Sequence, residues 1–115
     1  MYTTNLDKVE KTAMKMEGAL KVIKQIPLSK SIGAPNFSFR VFTIEPGGHT
    51  PFHQHPAEHM NYIIEGQGAL VTVDREISIK KGDFALVLPG ELHQYKNTSK
   101  TRNLRLICAV PKEYE

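Results

Sequence analysis

The chain has 115 residues, of which 40% are apolar and 23% charged, and its net charge is +3. That length fits one domain with one core, and that balance excludes disordered, collagenous and membrane-spanning classes. The basic residues are spread without a dense run, so no nucleic-acid partner is expected. A single cysteine excludes an intramolecular disulfide, and no apolar leader or bilayer-length run is seen. We therefore expect a cytoplasmic protein without membrane partners.

Residues 1–18 leave two conformations open, an extended arm and one short helix, because Val9, Ala13 and Met16 have helical spacing that threonines interrupt. From residue 19 to residue 110, short β-branched segments alternate with turn residues, which predicts an all-β sandwich or barrel. Residues 111–115 read as a polar tail of this single domain. The predicted strands are 20–28, 37–45, 59–65, 69–74, 77–79, 84–89, 92–96 and 103–110.

Proline and glycine positions predict how three of these strands begin or end. Pro27 should place the first strand at a sheet edge or at a strand end. The run 46–48, Pro-Gly-Gly, predicts a tight turn that ends the second strand. The run 66–68, Gly-Gln-Gly, predicts a hairpin between the third and fourth strands.

All five histidines lie in two segments that glycine and proline punctuate. His53 and His55 are two residues apart, so on an extended chain both side chains point to the same face. His59 follows after a proline, and His93 precedes a later strand. Imidazole nitrogens bind Mn, Fe, Co, Ni, Cu and Zn, so these four histidines predict a transition-metal site if the two segments meet. His49, directly after a glycine, suits a loop or a supporting position and is left out.

The histidine-rich segment resembles the first motif of the cupin superfamily, with Gly47, His53, His55 and Gly66 in register. The usual glutamate is absent, and His59 occupies its position. The second motif matches in part, through Gly82, Pro89, His93 and Asn97, with its internal spacings shifted by one residue. The chain is most similar to small single-domain cupins in which a histidine replaces the glutamate.

That resemblance implies a jelly-roll β-barrel, a homodimer and a four-histidine site made by His53, His55, His59 and His93. It implies manganese first and iron second as the metal, with zinc, nickel and copper left open. Four neutral imidazoles leave the full 2+ charge on the metal, so the site should attract anionic or enolate-like ligands. A closed tetrahedral zinc site would instead be structural.

Strand parity predicts which other side chains line the pocket. Tyr95 shares a face with His93, so we expect its ring beside the metal or at the rim of the core. On the last strand Arg105 should face water, which turns Cys108 inward as a thiol near the metal or as a small apolar core residue. Arg40 is either an anion contact at the barrel mouth or a solvated strand residue, and the sequence favours the solvated position.

Two function classes remain open at this stage. The first is a metal-dependent oxidoreductase, dioxygenase-like, acting on a small molecule, with Tyr95, Cys108 and Arg40 as candidate catalytic residues. The second is a non-catalytic metal- or small-molecule-binding protein such as a sensor or a storage module. Sugar-type isomerase chemistry is a third alternative, but no acid or base for it can be located from the sequence. Fold alone does not decide among them.

Overall fold

The computed structural model describes all 115 residues as an all-β domain with three short 3-10 helices. None of these helices has the length and apolar character needed to cross a bilayer. The 3-10 helices are Leu6–Lys8, Lys30–Ile32 and Lys112–Tyr114. The strands are β1 (Thr12–Ala13), β2 (Leu20–Leu28), β3 (Phe37–His49), β4 (His59–Glu65), β5 (Gln67–Val71), β6 (Glu76–Lys80), β7 (Phe84–Val87), β8 (Gln94–Asn97) and β9 (Leu104–Pro111).

The strands form one antiparallel sheet that curls into a jelly-roll barrel. One wall has the order β1-β2-β3-β9-β4-β7, and the other has the order β6-β5-β8. The long strand β3 joins them, because its body pairs with β2 and β9 while its last residue, His49, pairs with Lys96 of β8. The cavity of the barrel therefore lies between β3, β4 and β9 on one side and β8 on the other.

Alternation along β9 shows how the sequence places the core. Arg105, Ile107 and Ala109 are partly exposed, whereas the residues between them face inward, as strand parity predicts. This prediction is confirmed, and burying large aliphatic side chains stabilises the barrel by about 1.5–3 kcal/mol for each one. The core cluster comprises Val22, Phe42, Ile44, Ile63, Leu70, Ile79, Tyr95, Leu104, Leu106, Cys108 and Val110.

The turn predicted at residues 46–48 is wrong, because β3 continues through this run to His49. The register shows a bulge instead: β2 pairs Val22 with Ile44 and Leu20 with His49, so the residues between face Lys21 alone. Lys21 itself has a φ of 55°. A large bulge of this kind bends a strand without ending it. It turns the end of β3 from one wall of the barrel to the other.

The hairpin predicted at residues 66–68 is also wrong. β4 pairs with β7 and β9, whereas β5 pairs with β6 and β8, so the two strands lie in opposite walls. Gly66 has a φ of 83°, and a Cβ there would overlap the backbone oxygen of Asn103. The glycine is thus required for the close crossing between walls, which sequence alone cannot distinguish from a hairpin turn.

Both chain ends pack against the barrel. The first residues form an extended arm with one 3-10 turn, and Gln25 Nε2 holds it by donating to the backbone oxygens of Leu6 and Val9, each at 3.0 Å. At the other end, the carboxylate of Glu115 accepts a hydrogen bond from the hydroxyl of Ser38. The predicted polar tail therefore closes over one end of β3, next to the cavity.

Candidate metal centre

Three histidines converge at one end of the cavity. His53 and His93 form an isolated antiparallel bridge, in which each backbone N–H donates to the other residue's oxygen at 3.1 and 3.0 Å. His55 follows His53 by two residues. The centroid of its ring is 4.9 Å from that of His53 and 4.8 Å from that of His93. One ligand nitrogen from each ring lies within 4.8 Å of the others. The two histidine segments therefore meet.

Hydrogen bonds fix the tautomers of two of these rings. Nδ1 of His53 lies 3.0 Å from the backbone oxygen of Pro51, and Nδ1 of His93 lies 2.8 Å from that of Glu91. A carbonyl oxygen only accepts, so each Nδ1 carries the proton and donates it. Each Nε2 then keeps a free lone pair, as in many histidine metal sites. Both rings are oriented for metal binding by the chain itself.

His59 lies beside this group and stacks on His55. Their ring centroids are 3.5 Å apart and the planes differ by 9°. His59 is 7% exposed, and its ring centroid is 6.3 Å from that of His93. Nδ1 of His55 is buried without a hydrogen-bond partner. The fourth predicted ligand is thus adjacent to the cluster but outside its tight group of three nitrogens.

The contacts of His59 place its proton differently from the protons of His53 and His93. Nδ1 of His59 lies 3.3 Å from Nη2 of Arg40 and 3.4 Å from Sγ of Cys108. A guanidinium only donates, and burial raises the pKa of the Cys108 thiol, so both neighbours are hydrogen-bond donors. Nδ1 of His59 therefore accepts, and the proton of the neutral ring lies on Nε2. Ligation through Nε2 requires this proton to move.

Burial favours the neutral form of three of the histidines, His55, His59 and His93. Desolvation, followed by the nearby charges of His93 and His53, lowers the pKa of His55 to about 4. Desolvation, followed by the charges of His55 and Arg40, lowers the pKa of His59 to about 3. Desolvation also lowers the pKa of His93. Neutral imidazoles are the form that binds metals, so the donor set fits a divalent transition metal at neutral pH.

His49 lies at the end of β3, apart from the cluster. Its Nδ1 is 3.1 Å from the backbone oxygen of Thr50 and 3.3 Å from Nε2 of Gln94. It takes no part in the convergent group of nitrogens. The structure thus separates His49 from the other four histidines.

The histidines open into a cavity of about 200 Å³ between the barrel walls. Tyr95 lines it beside His93, with ring centroids 6.4 Å apart, and its buried hydroxyl has no hydrogen-bond partner. Burial raises the pKa of this hydroxyl, so Tyr95 remains a neutral donor. The lining residues are Met14, Met16, Lys24, Arg40, Phe42, Thr50, His53, His55, His59, Asn61, His93, Tyr95, Leu106, Cys108 and Tyr114.

Arg40 corrects the sequence-based interpretation. The solvated position that the sequence favoured is wrong, because Arg40 is 7% exposed and lies on the inward face of β3 between Ser38 and Phe42. Its guanidinium donates to Sγ of Cys108 at 2.9 Å. Cys108, 1% exposed, lines the cavity and belongs to the core, so the two positions considered for it coincide.

Sequence analysis missed Lys24 and the two chain ends as parts of the cavity. Lys24 lies on β2 two residues after the buried Val22, and this spacing could have predicted its inward face. Met14, Met16 and Tyr114 reach the cavity from the arm and the C-terminal segment. No periodic pattern in the sequence marks those three.

Comparison with known proteins identifies the family. Residues 40–110 match the family described as Cupin domain. The chain belongs to the cupin family. Among curated relatives of this cupin, an uncharacterised protein of Aquifex aeolicus is 27% identical over 80% of the chain and 73% of its own length. A germin-like protein of Morus alba is 37% identical over 56% of the chain, and the match covers only 34% of that protein.

The cupin superposes on solved structures of similar chain length. The polyketide cyclase RemF from Streptomyces resistomycificus superposes with a TM-score of 0.91 and 25% identity, over 97% of this chain and 80% of RemF. A predicted oxalate decarboxylase from Thermotoga maritima superposes with a TM-score of 0.83 and 21% identity, over 96% and 98% of the two chains. The second likeness shows the fold alone.

Proposed function

We propose that this cupin is a metal-dependent enzyme that acts on a small molecule in the barrel cavity. The observation that supports it best is the pair of Nδ1–H donations from His53 and His93 to backbone oxygens, which leaves two Nε2 lone pairs beside His55. A structural role would not need a cavity next to these nitrogens, whereas a substrate site does. Manganese is the first candidate metal and iron the second.

A bound divalent metal supplies Lewis-acid polarisation of a substrate oxygen and, where it is redox-active, electron transfer to dioxygen. The chain's own residues would hold and orient the substrate. Tyr95 presents a neutral hydroxyl without a partner, available to donate to a substrate oxygen. Phe42 and Leu106 give part of the cavity lining an apolar surface. His59 is the candidate fourth ligand, on condition that its proton moves from Nε2.

The proposed reaction is an oxidation by dioxygen of a small enolate- or diol-like substrate. The cavity holds no carboxylate pair, and its thiol–imidazole contact, Cys108 Sγ to His59 Nδ1 at 3.4 Å, involves a thiol whose pKa is raised by burial. The residues present therefore favour chemistry centred on the metal. A redox-neutral reaction, such as cyclisation of a polyketide-like substrate, is the second candidate. The similarity to the polyketide cyclase RemF over 97% of the chain supports it.

Metal analysis and oxygen uptake test this proposal. Protein purified without added metal is analysed for metal content and then assayed by oxygen electrode with diketones, catechols and flavonols. We expect manganese or iron, and oxygen uptake that His93→Ala abolishes and His49→Ala retains. Zinc without oxygen uptake would contradict the oxygenase and leave redox-neutral turnover as the test of the second candidate. A metal-bearing protein that turns over no substrate would indicate a binding module.

We also propose that the protein forms a homodimer through the outer face of the β3-β9-β4-β7 wall. One row of paired residues across these strands is Phe39, Ala109, Met60 and Leu86. Phe39, Met60 and Leu86 are 42%, 56% and 55% exposed, and the row contains no charge. A neutral, apolar sheet face suits a self-complementary two-fold contact.

Light scattering after gel filtration tests the dimer. We expect Met60→Asp to convert a dimer into a monomer, because a buried unpaired carboxylate is costly at the centre of an apolar contact. Val73→Asp is the matched control, since Val73 is 75% exposed and lies outside this face. A monomeric wild-type protein, or a dimer that survives Met60→Asp, would contradict this interface.

A further inference from the structure

Two cationic side chains face the cavity without an acidic partner. Lys24 pairs across the sheet with Phe42, and Arg40 lies two residues before Phe42 on the same face. The cavity lining includes neither Asp nor Glu. The salt bridges of the protein are both at its surface, and neither includes Lys24 or Arg40.

The guanidinium of Arg40 is held in place by groups that do not neutralise it. Nη2 donates to Cys108 Sγ at 2.9 Å and to His59 Nδ1 at 3.3 Å, and Nη1 donates to the backbone oxygen of Tyr114 at 3.4 Å. The ring of Phe42 lies 5.0 Å from its Cζ. Nε is buried and has no partner. Of the five guanidinium N–H groups, two thus remain unused, one on Nε and one on Nη1, and the positive charge is fixed beside the cavity.

An unpaired charge in this environment is costly to the fold. A buried ion without a partner loses its hydration and gains no compensating charge in return. At Lys24, burial and then the charge of Arg40 lower the lysine pKa. The acid that acts on Lys24 is Glu115, but Ser38 and the backbone N–H of Lys30 hold its carboxylate, and it forms no salt bridge. Arg40 therefore has no acidic partner, and the carboxylate that acts on Lys24 is held by other groups.

We propose that Lys24 and Arg40 form an anion subsite that binds a carboxylate of the substrate. This deepens the proposed function, on which it rests in taking the cavity as the substrate site. A carboxylate fits better than a phosphate, because the wall is made of strands and offers no helix N-terminus or nest of backbone N–H groups. The cavity of about 200 Å³ is below the roughly 300–1,000 Å³ of drug-sized pockets. The ligand class is thus a small carboxylate.

Calorimetric titration with malonate tests the subsite on the protein as purified, with its metal content measured in each sample. Malonamide, neutral and similar in size, and inorganic phosphate are the comparison ligands. We expect Arg40→Met and Lys24→Met each to weaken malonate binding by about 10–100-fold, which is the contribution of a charged hydrogen bond. Arg105→Met and Lys80→Met are the matched controls, because both residues lie outside the cavity, and we expect unchanged binding. Arg40→Lys should recover part of the loss.

The outcomes separate this proposal from the proposed function. Malonate binding that both cavity variants leave unchanged, with metal retained, overturns the subsite while the metal-dependent enzyme stands. Malonate binding that falls in both variants of a protein without metal supports the subsite and contradicts the metal-dependent enzyme. Malonamide or phosphate binding as tightly as malonate overturns the assignment to carboxylates. Thermal melting of each variant identifies a loss that is due to unfolding, and Lys24→Met then decides, because Lys24 is only half-buried.

Discussion

Replacing His59 by Ala should weaken metal binding far less than replacing His93 by Ala. His93 already donates its Nδ1 proton to a backbone oxygen at 2.8 Å, so its Nε2 binds a metal without rearrangement. Nδ1 of His59 instead accepts from Arg40 at 3.3 Å. To act as a ligand through Nε2, His59 must move its proton to Nδ1. That proton would then face the guanidinium and the thiol of Cys108.

The expected difference can be worked out from these contacts. A four-ligand structural zinc site contributes about 10–16 kcal/mol, so one ligand contributes about 3 kcal/mol, or on the order of 100-fold in affinity. When His59 acts as a ligand, the charged hydrogen bond between Arg40 and His59 is lost, which reduces the contribution of His59 to metal binding by about 1.5–3 kcal/mol. His93→Ala should therefore cost about 100-fold, and His59→Ala at most about tenfold.

Competition with a chelator of known affinity measures these constants, with melting curves to confirm that each variant is folded. His49→Ala is the control and should leave metal affinity unchanged, because its ring contacts Gln94 rather than the cluster. In an Arg40→Met background no guanidinium donates to Nδ1 of His59, and His59→Ala should then lower metal affinity by about 100-fold. Equal losses for His59→Ala and His93→Ala in the wild-type background would refute the tautomer argument.

Two further predictions concern stability, and urea unfolding of the metal-free protein measures both. Gly82→Ala should lower the free energy of unfolding by about 1–2 kcal/mol, because Gly82 has a positive φ but lies in open space. Gly66→Ala should lower it more, because the added Cβ also overlaps the backbone before β9. Equal losses for the two variants would contradict the close crossing. The free energy of unfolding should be at its full value above pH 6.5 and should fall on acidification. In the folded protein the pKa values of His55 and His59 are about 4 and about 3, so below pH 6.5 the unfolded chain takes up protons that the folded rings do not bind. At pH 4.5 the loss is at most about 3 kcal/mol for His59 and less for the more exposed His55, and a flat profile would contradict it.

Local patterns predicted most of the strands, because side-chain alternation and turn formation depend on residues that are close together in the sequence. The bounds of β2 and β4 agree with the structure at both ends. The pairing of β4 and β5 was not predictable in this way. Gly66 permits either a hairpin or a crossing, and in the crossing it packs against the backbone of Asn103, far along the chain. Long-range packing decides what the local sequence leaves open.

The convergence of His53, His55 and His93 was predictable from two-residue parity and from the clustering of histidines. The position of Arg40 was not. Arginine on a strand is usually solvated, and its burial here depends on Cys108 and on the C-terminal backbone of Tyr114. The same contacts set the tautomer of His59. A motif can thus identify the ring that lies near the metal but not the nitrogen that carries the proton.

The absence of a carboxylate connects the metal centre with the cations of the cavity. A glutamate at position 59 would cancel one charge of the metal and give Arg40 an acidic partner. With histidine there, the proposed divalent metal would add its positive charge to those of Arg40 and Lys24 around one small cavity. Repulsion among these three charges would weaken metal binding, and an anion bound in the cavity would relieve it. Metal binding and anion binding at the two proposed sites should therefore be coupled, and by linkage each should strengthen the other by the same factor.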